Sequence, residues 1–448
     1  MNNQASSLHD KAAYQSSILN RPQSLANFLP YDEYLKKYRT FVMKDGSFGA
    51  VFRISPLSHE PMTENQILKV TKEIEAWFRL PDNFVVQVLY ENAYISSRDP
   101  RVTELVQSKG QGHPVSALLY KEKLSDLLES SKGKSRTPPM SRSFLLSLRY
   151  FPEDLEQAAS GKIDKETRKF RSNLQNFDYE VKNLLASSSI PMEQLDAESL
   201  SSILRRFFNP ISYLDRGYAP TNGSLPISDQ LIFSTPELDY QGIGREGLMT
   251  RTFTLKCPPA FSYPGGMAQF VELDFPFRVS INISFPLPSK VKKFLATKEF
   301  LLENAMSAKA RVQKEEVESI QESLAREDRC LQMTFTITVD GSSEEEILER
   351  RRRLIHLFTN KLECELIDEP HIGLGLCLNS LPLNYTPDAD FSTRRGIRIL
   401  RSDLASFIPI FDSCMPLGEA TSFYLSREQN LVPCLLYTSD AADEEDSV

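Results

Sequence analysis

The chain has 448 residues, a formal net charge of −8, 41% hydrophobic residues and 25% charged residues, a composition typical of a folded protein with several domains. No apolar run approaches the roughly 18–20 residues that span a bilayer, and the start lacks the basic and apolar stretches of a secretory signal. We therefore expect a cytoplasmic protein without membrane insertion. An acidic chain without a wide basic stripe is not expected to bind nucleic acid directly.

The first residues are polar and rich in Ser, Asn and Gln, which predicts a disordered lead-in over 1–25. A first α/β lobe is predicted over 26–212. Its opening hairpin is predicted from Asp45-Gly46, because this pair supplies the positive φ of a tight turn. In chain order the predicted elements are strands 40–43 and 48–54, helix 63–80 capped by Thr63, strand 84–90, helices 101–108 and 116–131, a Pro-containing loop 130–141, strand 143–151, amphipathic helix 164–187 and a helix ending at Phe208-Asn209-Pro210.

A second α/β lobe is predicted over 213–433, so the expected fold class is mixed α/β (α+β) with two sheet-and-helix lobes. Charged residues dominate 290–327, which predicts one long polar helix that projects from its domain or packs along a narrow stripe. Strict alternation of apolar and polar residues over 331–339 predicts a half-exposed strand. The other predicted elements are strands 251–256 and 269–285, helix 343–361 and a strand near 363–368.

Three short motifs imitate nucleotide-binding sites. Gly133-Lys134-Ser135 resembles the end of a phosphate-binding loop, but Leu128 stands where the loop needs its first glycine. The stretch 242–247 reads GxGxxG, yet the residues after it are strand-like, and a dinucleotide site requires a helix there. Leu366-Ile367-Asp368-Glu369 resembles an acidic strand end that holds magnesium, but without a phosphate loop a solvent-facing strand end is expected. We therefore assign no catalytic, cofactor-binding or metal-binding residue to the chain.

The cysteines are scattered and have neither a CxxC pair nor a spacing with histidine that suits zinc. We expect isolated buried thiols in a reducing compartment. One alternative stays open, a self-contained cysteine-dependent enzyme whose site assembles from Cys377, His371 and Asp368. An accessible thiol in a cleft would favour it. The six positions are Cys257, Cys330, Cys364, Cys377, Cys414 and Cys434.

Two dense basic clusters occur, at 350–353 and at Arg394, Arg395, Arg398 and Arg401. A solvated face is the expected structure for each, and an anion site is the alternative. The acids 344–346 open a predicted helix, where negative charge stabilises the helix dipole, and we expect a structural role for them.

Several stretches together resemble the N-terminal region of the TraC-type conjugative transfer ATPases, which belong to the type IV secretion ATPases and assemble F-type pili. In order they are Leu29-Pro30-Tyr31, the hairpin 45–52, Leu80-Pro81 before an apolar strand, the helix end LRRFFNP at 204–210, Asn379-Ser380-Leu381-Pro382 and the segment 405–409. The resemblance covers about 28–433. It departs from the family pattern at Phe52-Arg53, where an acidic residue often follows the hairpin.

The resemblance implies an N-terminal docking and assembly region that positions the motor on the inner-membrane complex. It implies a bacterial cytoplasmic protein, peripheral to the inner membrane through its partners, which are other type IV secretion and pilus-assembly proteins, and a hexamer in the full-length form. ATP and Mg²⁺ are implied only for an ATP-hydrolysing half, which we expect to be missing from this chain. Residues 434–448 resemble a translated sequencing adapter and are expected to be an artefactual tail. A motorless adaptor protein is the further alternative.

Overall fold

A computed structural model of the protein describes residues 24–57, 62–94, 140–152, 163–213, 220–259, 262–303, 308–326, 328–411, 422–425 and 431–434, together with positions 118 and 122. The predicted helix 101–108 and the Gly133-Lys134-Ser135 motif lie outside these residues. So does the predicted helix 116–131, apart from positions 118 and 122, which are both helical.

The strands of the described residues follow, in chain order: β1 Tyr31–Leu35, β2 Thr40–Met43, β3 Phe48–Ile54, β4 Phe84–Tyr94, β5 Met140–Tyr150, β6 Met192–Gln194, β7 Glu237–Leu238, β8 Ile243–Arg245, β9 Leu248–Cys257, β10 Phe277–Ser284, β11 Cys330–Gly341, β12 Glu365–Asp368, β13 Ile397–Leu400, β14 Ser422–Leu425 and β15 Leu431–Cys434.

The α-helices of the same residues are α1 Glu64–Trp77, α2 Ile163–Ser187, α3 Ala197–Phe208, α4 Pro288–Glu303, α5 Ala308–Ala325, α6 Glu344–Asn360, α7 Gly373–Asn379, α8 Pro387–Thr393 and α9 Arg401–Ser406. Short 3-10 helices occupy Leu25–Phe28, Ile227–Gln230 and Gly266–Glu272. This mixture of helices and one large sheet confirms the predicted α+β class.

Thirteen of these strands form one antiparallel sheet in the order β1-β2-β3-β5-β4-β10-β11-β9-β8-β7, with β6 on β3, β12 on β9 and β13 on β11. The remaining two, β14 and β15, pair only with each other in the described chain. Strand β4 from the first predicted lobe pairs with β10 from the second, from Asn92↔Phe277 to Val85↔Ser284. The sheet is therefore continuous through both predicted lobes, and the lobe boundary at 212/213 stays a prediction.

Local sequence explains the predicted elements that are confirmed. Asp45 Oδ1 accepts hydrogen bonds from the backbone N–H and the hydroxyl of Ser47, and Gly46 takes φ 79°, so the chain turns tightly between β2 and β3. Thr63 caps α1 in a reciprocal capping box with Gln66. The apolar residues of α2 recur at helical spacing, and Leu174, Phe177, Val181 and Leu184 are all buried.

One face of the sheet is covered by the apolar sides of amphipathic helices. Alternate residues of the five central strands point to this face, and each contributes aromatic or aliphatic side chains to the largest core cluster. Helices α1, α2, α6 and α9 complete the cluster, for example through Trp77, Phe177 and Phe358, which are fully buried. The burial of this apolar surface supplies most of the driving force for folding.

The opposite face carries polar residues, and it is buried as well. Thr334, Thr336 and Thr338 of β11 are at most 2% exposed, so the prediction of a half-exposed strand over 331–339 is wrong. Residues 369–395, which we call the covering segment, lie across this face, and α3 lies beside it. The alternation is present as predicted, but its polar side contacts hydrogen-bonding groups of the protein instead of water.

The predicted long helix over 290–327 is also wrong. Two helices, α4 and α5, occupy this stretch, and Gln321 Nε2 of α5 donates a hydrogen bond to Glu299 Oε2 of α4 at 3.0 Å. Residues this far apart in sequence would be about 33 Å apart in one helix, given its rise of about 1.5 Å per residue. The predicted strand 269–285 is shorter than expected, because its first residues belong to the 3-10 helix and β10 begins at Phe277.

Candidate functional site: the junction of the sequence motifs

The GxGxxG stretch forms a β-hairpin rather than a nucleotide loop. Glu246 and Gly247 both have positive φ, 49° and 82°, and they make the two-residue turn between β8 and β9. Gly242 is needed for a different reason, since a Cβ there would lie 2.1 Å from the carbonyl oxygen of Thr250. The stretch is therefore strand β8 followed by a turn, and Gly247 serves the turn while Gly242 allows a close backbone contact.

The two acidic residues of the strand end at 366–369 lie in different surroundings. Asp368 is partly exposed and pairs with Arg351 on α6, with 3.0 Å between Oδ2 and Nε. Glu369 is 3% exposed and accepts hydrogen bonds from Arg395 and from the hydroxyl of Thr254. The expectation of a solvent-facing strand end is therefore wrong for Glu369, because a buried carboxylate needs charged and polar partners and finds them here.

Cys377, His371 and Asp368 do not form the accessible catalytic site that a cysteine-dependent enzyme would need. Cys377 is fully buried on α7, and burial raises the pKa of its thiol to about 11, so the thiolate is rare at neutral pH. His371 is exposed, and Asp368 pairs with Arg351. Cys330 and Cys364 are buried as expected, whereas Cys257 is exposed, contrary to the expectation.

The two basic clusters form ion pairs and cation–π contacts within the fold. In the first, Arg350 is buried and donates to Glu346 and to the carbonyl oxygen of Asp340. In the second, Arg398 stacks over the Phe294 ring at 3.5 Å. The solvated-face expectation is wrong for these members. Other members pair with acids as Arg351–Asp368, Arg353–Asp274, Arg395–Glu369 and Arg401–Asp328. The acids at 344–346 take the expected structural role, since they lie in the first turn of α6 after the N-cap Ser343.

Three of the motifs that carry the family resemblance meet on the polar face of the sheet, although they are far apart in sequence. Tyr31, from Leu29-Pro30-Tyr31, donates its hydroxyl hydrogen to the carbonyl oxygen of Pro382 at 2.6 Å. Pro382 belongs to the Asn379-Ser380-Leu381-Pro382 motif in the covering segment. The hairpin 45–52 joins them through Arg149 of β5, as described next. We call this region the motif junction.

Arg149 is the centre of the motif junction. Its Nη2 donates to Asp45 Oδ2 at 2.5 Å and its Nε donates to the hydroxyl of Ser47 at 2.8 Å, so it holds the hairpin. Its Nη1 donates to the carbonyl oxygens of Leu383 at 2.9 Å and Tyr385 at 3.4 Å, so it also holds the covering segment. Burial lowers the pKa of Arg149 and Asp45 opposes this, and the guanidinium stays charged.

Gly49 and Leu383 fit together at the same place. Leu383 is fully buried and has φ 62°, a conformation that a branched residue rarely adopts. A Cβ on Gly49 would lie 2.8 Å from both terminal methyl groups of Leu383. Gly49 of the hairpin motif therefore has no room for a side chain, because the covering segment lies directly against it.

Further hydrogen bonds hold the covering segment along its length. Gln87 Nε2 lies 3.0 Å from Asn282 Oδ1 and within 3.2 Å of the carbonyl oxygens of Asn379 and Leu381. The donors of these bonds come from the sheet, and the acceptors of several are main-chain carbonyls, which fix the path of the segment. Two more are made by Thr252 to the carbonyl oxygen of Gly373 and by Thr334 to Asp390.

A partly buried ionic chain lies on the same face of the sheet as the motif junction. At its centre, Arg278 donates from Nε to Glu91 Oε1 at 3.1 Å and from Nη2 to Asp340 Oδ2 at 2.7 Å. Arg206 pairs with the second oxygen of Glu91, and Arg245 pairs with the second oxygen of Asp340. Each carboxylate thus binds two guanidinium groups, which offsets the cost of burial.

The helix-end motif LRRFFNP at 204–210 contributes to this chain. It supplies Arg206, and the Phe207 ring has the Arg245 and Arg278 guanidinium groups at 4.2 Å and 4.5 Å from its centroid. Burial alone would raise the pKa of Asp340, but Arg245 and Arg278 lower it to about 2. The four motifs therefore contribute polar and ionic groups to the same face of the sheet.

The sequence interpretation missed Arg149, Gln87, Arg278 and Asp340 as important residues. A signal was present, since each interrupts an apolar strand with a group that is costly to bury. Within the described residues, no three His, Cys, Asp or Glu side chains are grouped as a metal ion requires. None of the helices described combines the length and the apolar composition needed to cross a bilayer.

Comparison with known proteins gives the family. The family model described as TraC protein matches residues 25–385, well over half of the chain, and this range contains all the motifs of the junction. None of the curated proteins matches the chain. The chain therefore belongs to the TraC family, whose members take part in conjugative type IV secretion and pilus assembly.

Proposed function

We propose that this chain is the N-terminal docking and assembly region of a TraC-type ATPase and that it positions the motor on the inner-membrane complex. The observation that carries the proposal is the structure of the two nucleotide-site imitations that lie within the described residues, 242–247 and 366–369. The glycines at 242–247 form a hairpin turn, and Glu369 is held by Arg395 and Thr254. Both are engaged in the fold, so ATP and Mg²⁺ are assigned to an ATP-hydrolysing half outside this chain.

A surface cleft supports a role in docking. It lies between β1, the start of α3 and residues 221–227, and its volume is about 560 Å³. Asp32, Glu33 and Leu225 are among the residues that line it. Grooves on protein surfaces can accommodate short segments of partner proteins. The proposed partners are other type IV secretion and pilus-assembly proteins, through which the protein is held at the cytoplasmic side of the inner membrane of a bacterium.

Two measurements test the proposal. Titration of the purified chain with a fluorescent ATP analogue and Mg²⁺ is expected to give no saturable binding, and specific binding at micromolar affinity would contradict it. In donor cells with an intact conjugation system, excess chain is expected to lower plasmid transfer, because it occupies docking sites without supplying a motor. Unchanged transfer at a high level of folded chain would contradict the docking role.

The proposal includes assembly into a hexamer in the full-length protein. Light scattering across a range of concentrations tests whether the present chain self-associates. A motorless adaptor remains the alternative, and it differs only in that ATP hydrolysis would belong to another polypeptide. Cysteine-dependent catalysis is not proposed, because the Cys377 thiol is buried and its pKa is raised.

A further inference from the structure

The hairpin of α4 and α5 has one face that is already occupied. Val291 and Leu295 of α4 are buried against Val317 of α5 and Cys330 of β11. The hydrogen bond from Gln321 to Glu299 fixes the two helices side by side. The helix pair therefore attaches to the sheet through this face. Other residues of α4 point away from it.

A second row of apolar residues on α4 faces the solvent. Leu287, Phe294 and Leu301 are 41%, 42% and 65% exposed. The Arg398 guanidinium lies over one side of the Phe294 ring, 3.5 Å from its centroid, and the rest of this side chain faces the solvent. Leu287 belongs to the helix end, since its carbonyl oxygen accepts hydrogen bonds from the N–H groups of Lys290 and Val291. The three residues are spaced by seven, which places them along one line of the helix, as in the contact seam of a coiled coil. Scattered exposed apolar residues are ordinary, but an aligned row is typical of an interface.

Basic residues flank this row. Lys290 and Lys298 each lie four residues from Phe294, so they are its neighbours along the helix surface. Helix α4 carries four lysines against two glutamates. Helix α5 beside it carries three basic residues against four glutamates. Of the two helices, α4 therefore carries the net positive charge, and Arg398 over Phe294 adds to it. The net negative charge of α5 disfavours binding to a broad anionic surface such as a membrane.

We propose that the row Leu287, Phe294 and Leu301, which we call the α4 row, binds an acidic amphipathic helix of a partner protein. The apolar residues of that helix would pack between the three side chains, and its Glu or Asp residues would pair with Lys290 and Lys298. The proposal rests on the proposed docking function and deepens it by assigning one surface and one class of partner.

The test uses the full chain and a fluorescent synthetic helix about three heptads long, with Leu at the a and d positions and Glu at the e and g positions. Fluorescence anisotropy is expected to show saturable binding to the wild-type chain. Leu301→Glu is expected to weaken binding about tenfold or more, since interface anchors contribute at least that much. The same peptide with Lys in place of Glu is expected to bind poorly.

Two matched variants control the result. Leu348→Glu changes a leucine of α6 that is 40% exposed, and it is expected to leave binding unchanged. Lys298→Glu is expected to weaken binding of the acidic peptide and to strengthen binding of the basic peptide. Misfolding would not produce this reversal. Circular dichroism of each variant shows that the fold is retained.

Three results would overturn the proposal. The first is that the acidic peptide does not bind, or binds the wild-type and Leu301→Glu chains equally. The second is binding to vesicles of anionic lipid that Leu301→Glu abolishes, which would assign the row to a membrane. The third is self-association that Leu301→Glu abolishes, which would assign it to a second copy.

The outcome is separable from that of the proposed function. Nucleotide binding by the chain would contradict the docking function and leave the peptide result intact. Conversely, if excess chain lowers plasmid transfer but the peptide does not bind, only the assignment of the α4 row fails.

Discussion

Both faces of the sheet are covered, but by different chemistry. On one face, residues such as Ile281 and Phe335 pack against the apolar sides of helices, and the contacts are non-directional. On the other, residues such as Arg149, Gln87 and Thr334 hydrogen-bond to the covering segment. An apolar face tolerates small rearrangements. A hydrogen-bonded face tolerates them less, because hydrogen bonds weaken steeply outside a narrow range of distance and angle, so this face favours a single path for the segment.

The largest expected effect comes from the polar face. Arg149→Met keeps much of the side-chain volume but leaves the carbonyl oxygens of Leu383 and Tyr385 without their donor. We expect a loss of about 3 kcal/mol in the free energy of unfolding, since buried groups that lose their partner cost about 1–3 kcal/mol each. Urea denaturation measures it.

The matched control for this change is Arg53→Met. Arg53 is 47% exposed and pairs with Glu193, which is 68% exposed, so the loss should stay within about 0.5 kcal/mol. Equal losses for the two arginines would show that Arg149 has no special role.

An acid titration tests the ionic chain beneath the segment. The pKa of Asp340 is about 2 in the folded protein, and an unperturbed Asp in the unfolded chain has a pKa of 3.8, so ionisation of Asp340 stabilises the fold. This contribution, about 2 kcal/mol at 1.36 kcal/mol per pKa unit, is present above pH 3.8 and is lost as the pH falls through about 2.

The measurement is the free energy of unfolding of the wild type and of Asp340→Asn between neutral pH and pH 2. The difference between them should shrink as the pH falls below 4. A difference that is constant with pH would mean that the ionisation of Asp340 does not stabilise the fold.

Gly49→Ala tests the contact between the hairpin motif and the covering segment. The added methyl group would lie 2.8 Å from Leu383, whose main chain is held by Arg149. We expect a loss of about 1.5 kcal/mol from overpacking. Thermal unfolding measures it, and Gly223→Ala is the control, since a Cβ there meets nothing within 4 Å. A loss no larger than that of Gly223→Ala would show that Leu383 moves freely.

The smallest effect is expected on the apolar face. Ile281→Val removes one methylene from a fully buried side chain, and its neighbours can partly close the gap. We expect a loss of about 1 kcal/mol in the free energy of unfolding by urea denaturation. A loss as large as that of Arg149→Met would remove the distinction between the two faces.

Much of the fold could be predicted because its signals are local. The Asp45-Gly46 turn, the Thr63 cap and the helical periodicity of α2 depend on residues close in sequence. The buried polar face could not be predicted, because the alternation over 331–339 has the same pattern whether its polar side contacts water or the covering segment. The division of 290–327 into α4 and α5 was not predicted either, because no Gly or Pro between Glu303 and Ala308 marks the end of a helix in the sequence.

The candidate site was only partly accessible from sequence. The motifs were identified by resemblance, but their meeting depends on pairs such as Tyr31 with Pro382, which lie 351 residues apart in the chain. Nothing local in Arg149 indicates that it contacts Asp45 and Leu383 together. The motifs of the junction could therefore be identified from the sequence, but their proximity follows from the topology of the sheet.

Hydrogen exchange read by mass spectrometry tests the central claim most directly, with Arg149→Met compared with the wild type under conditions where both are folded. If Arg149 locks the covering segment onto the polar face, amides over 369–395 should exchange much faster in the variant, while β10 and β11 stay protected. Uniformly faster exchange across the sheet, or an unchanged covering segment, would contradict the account.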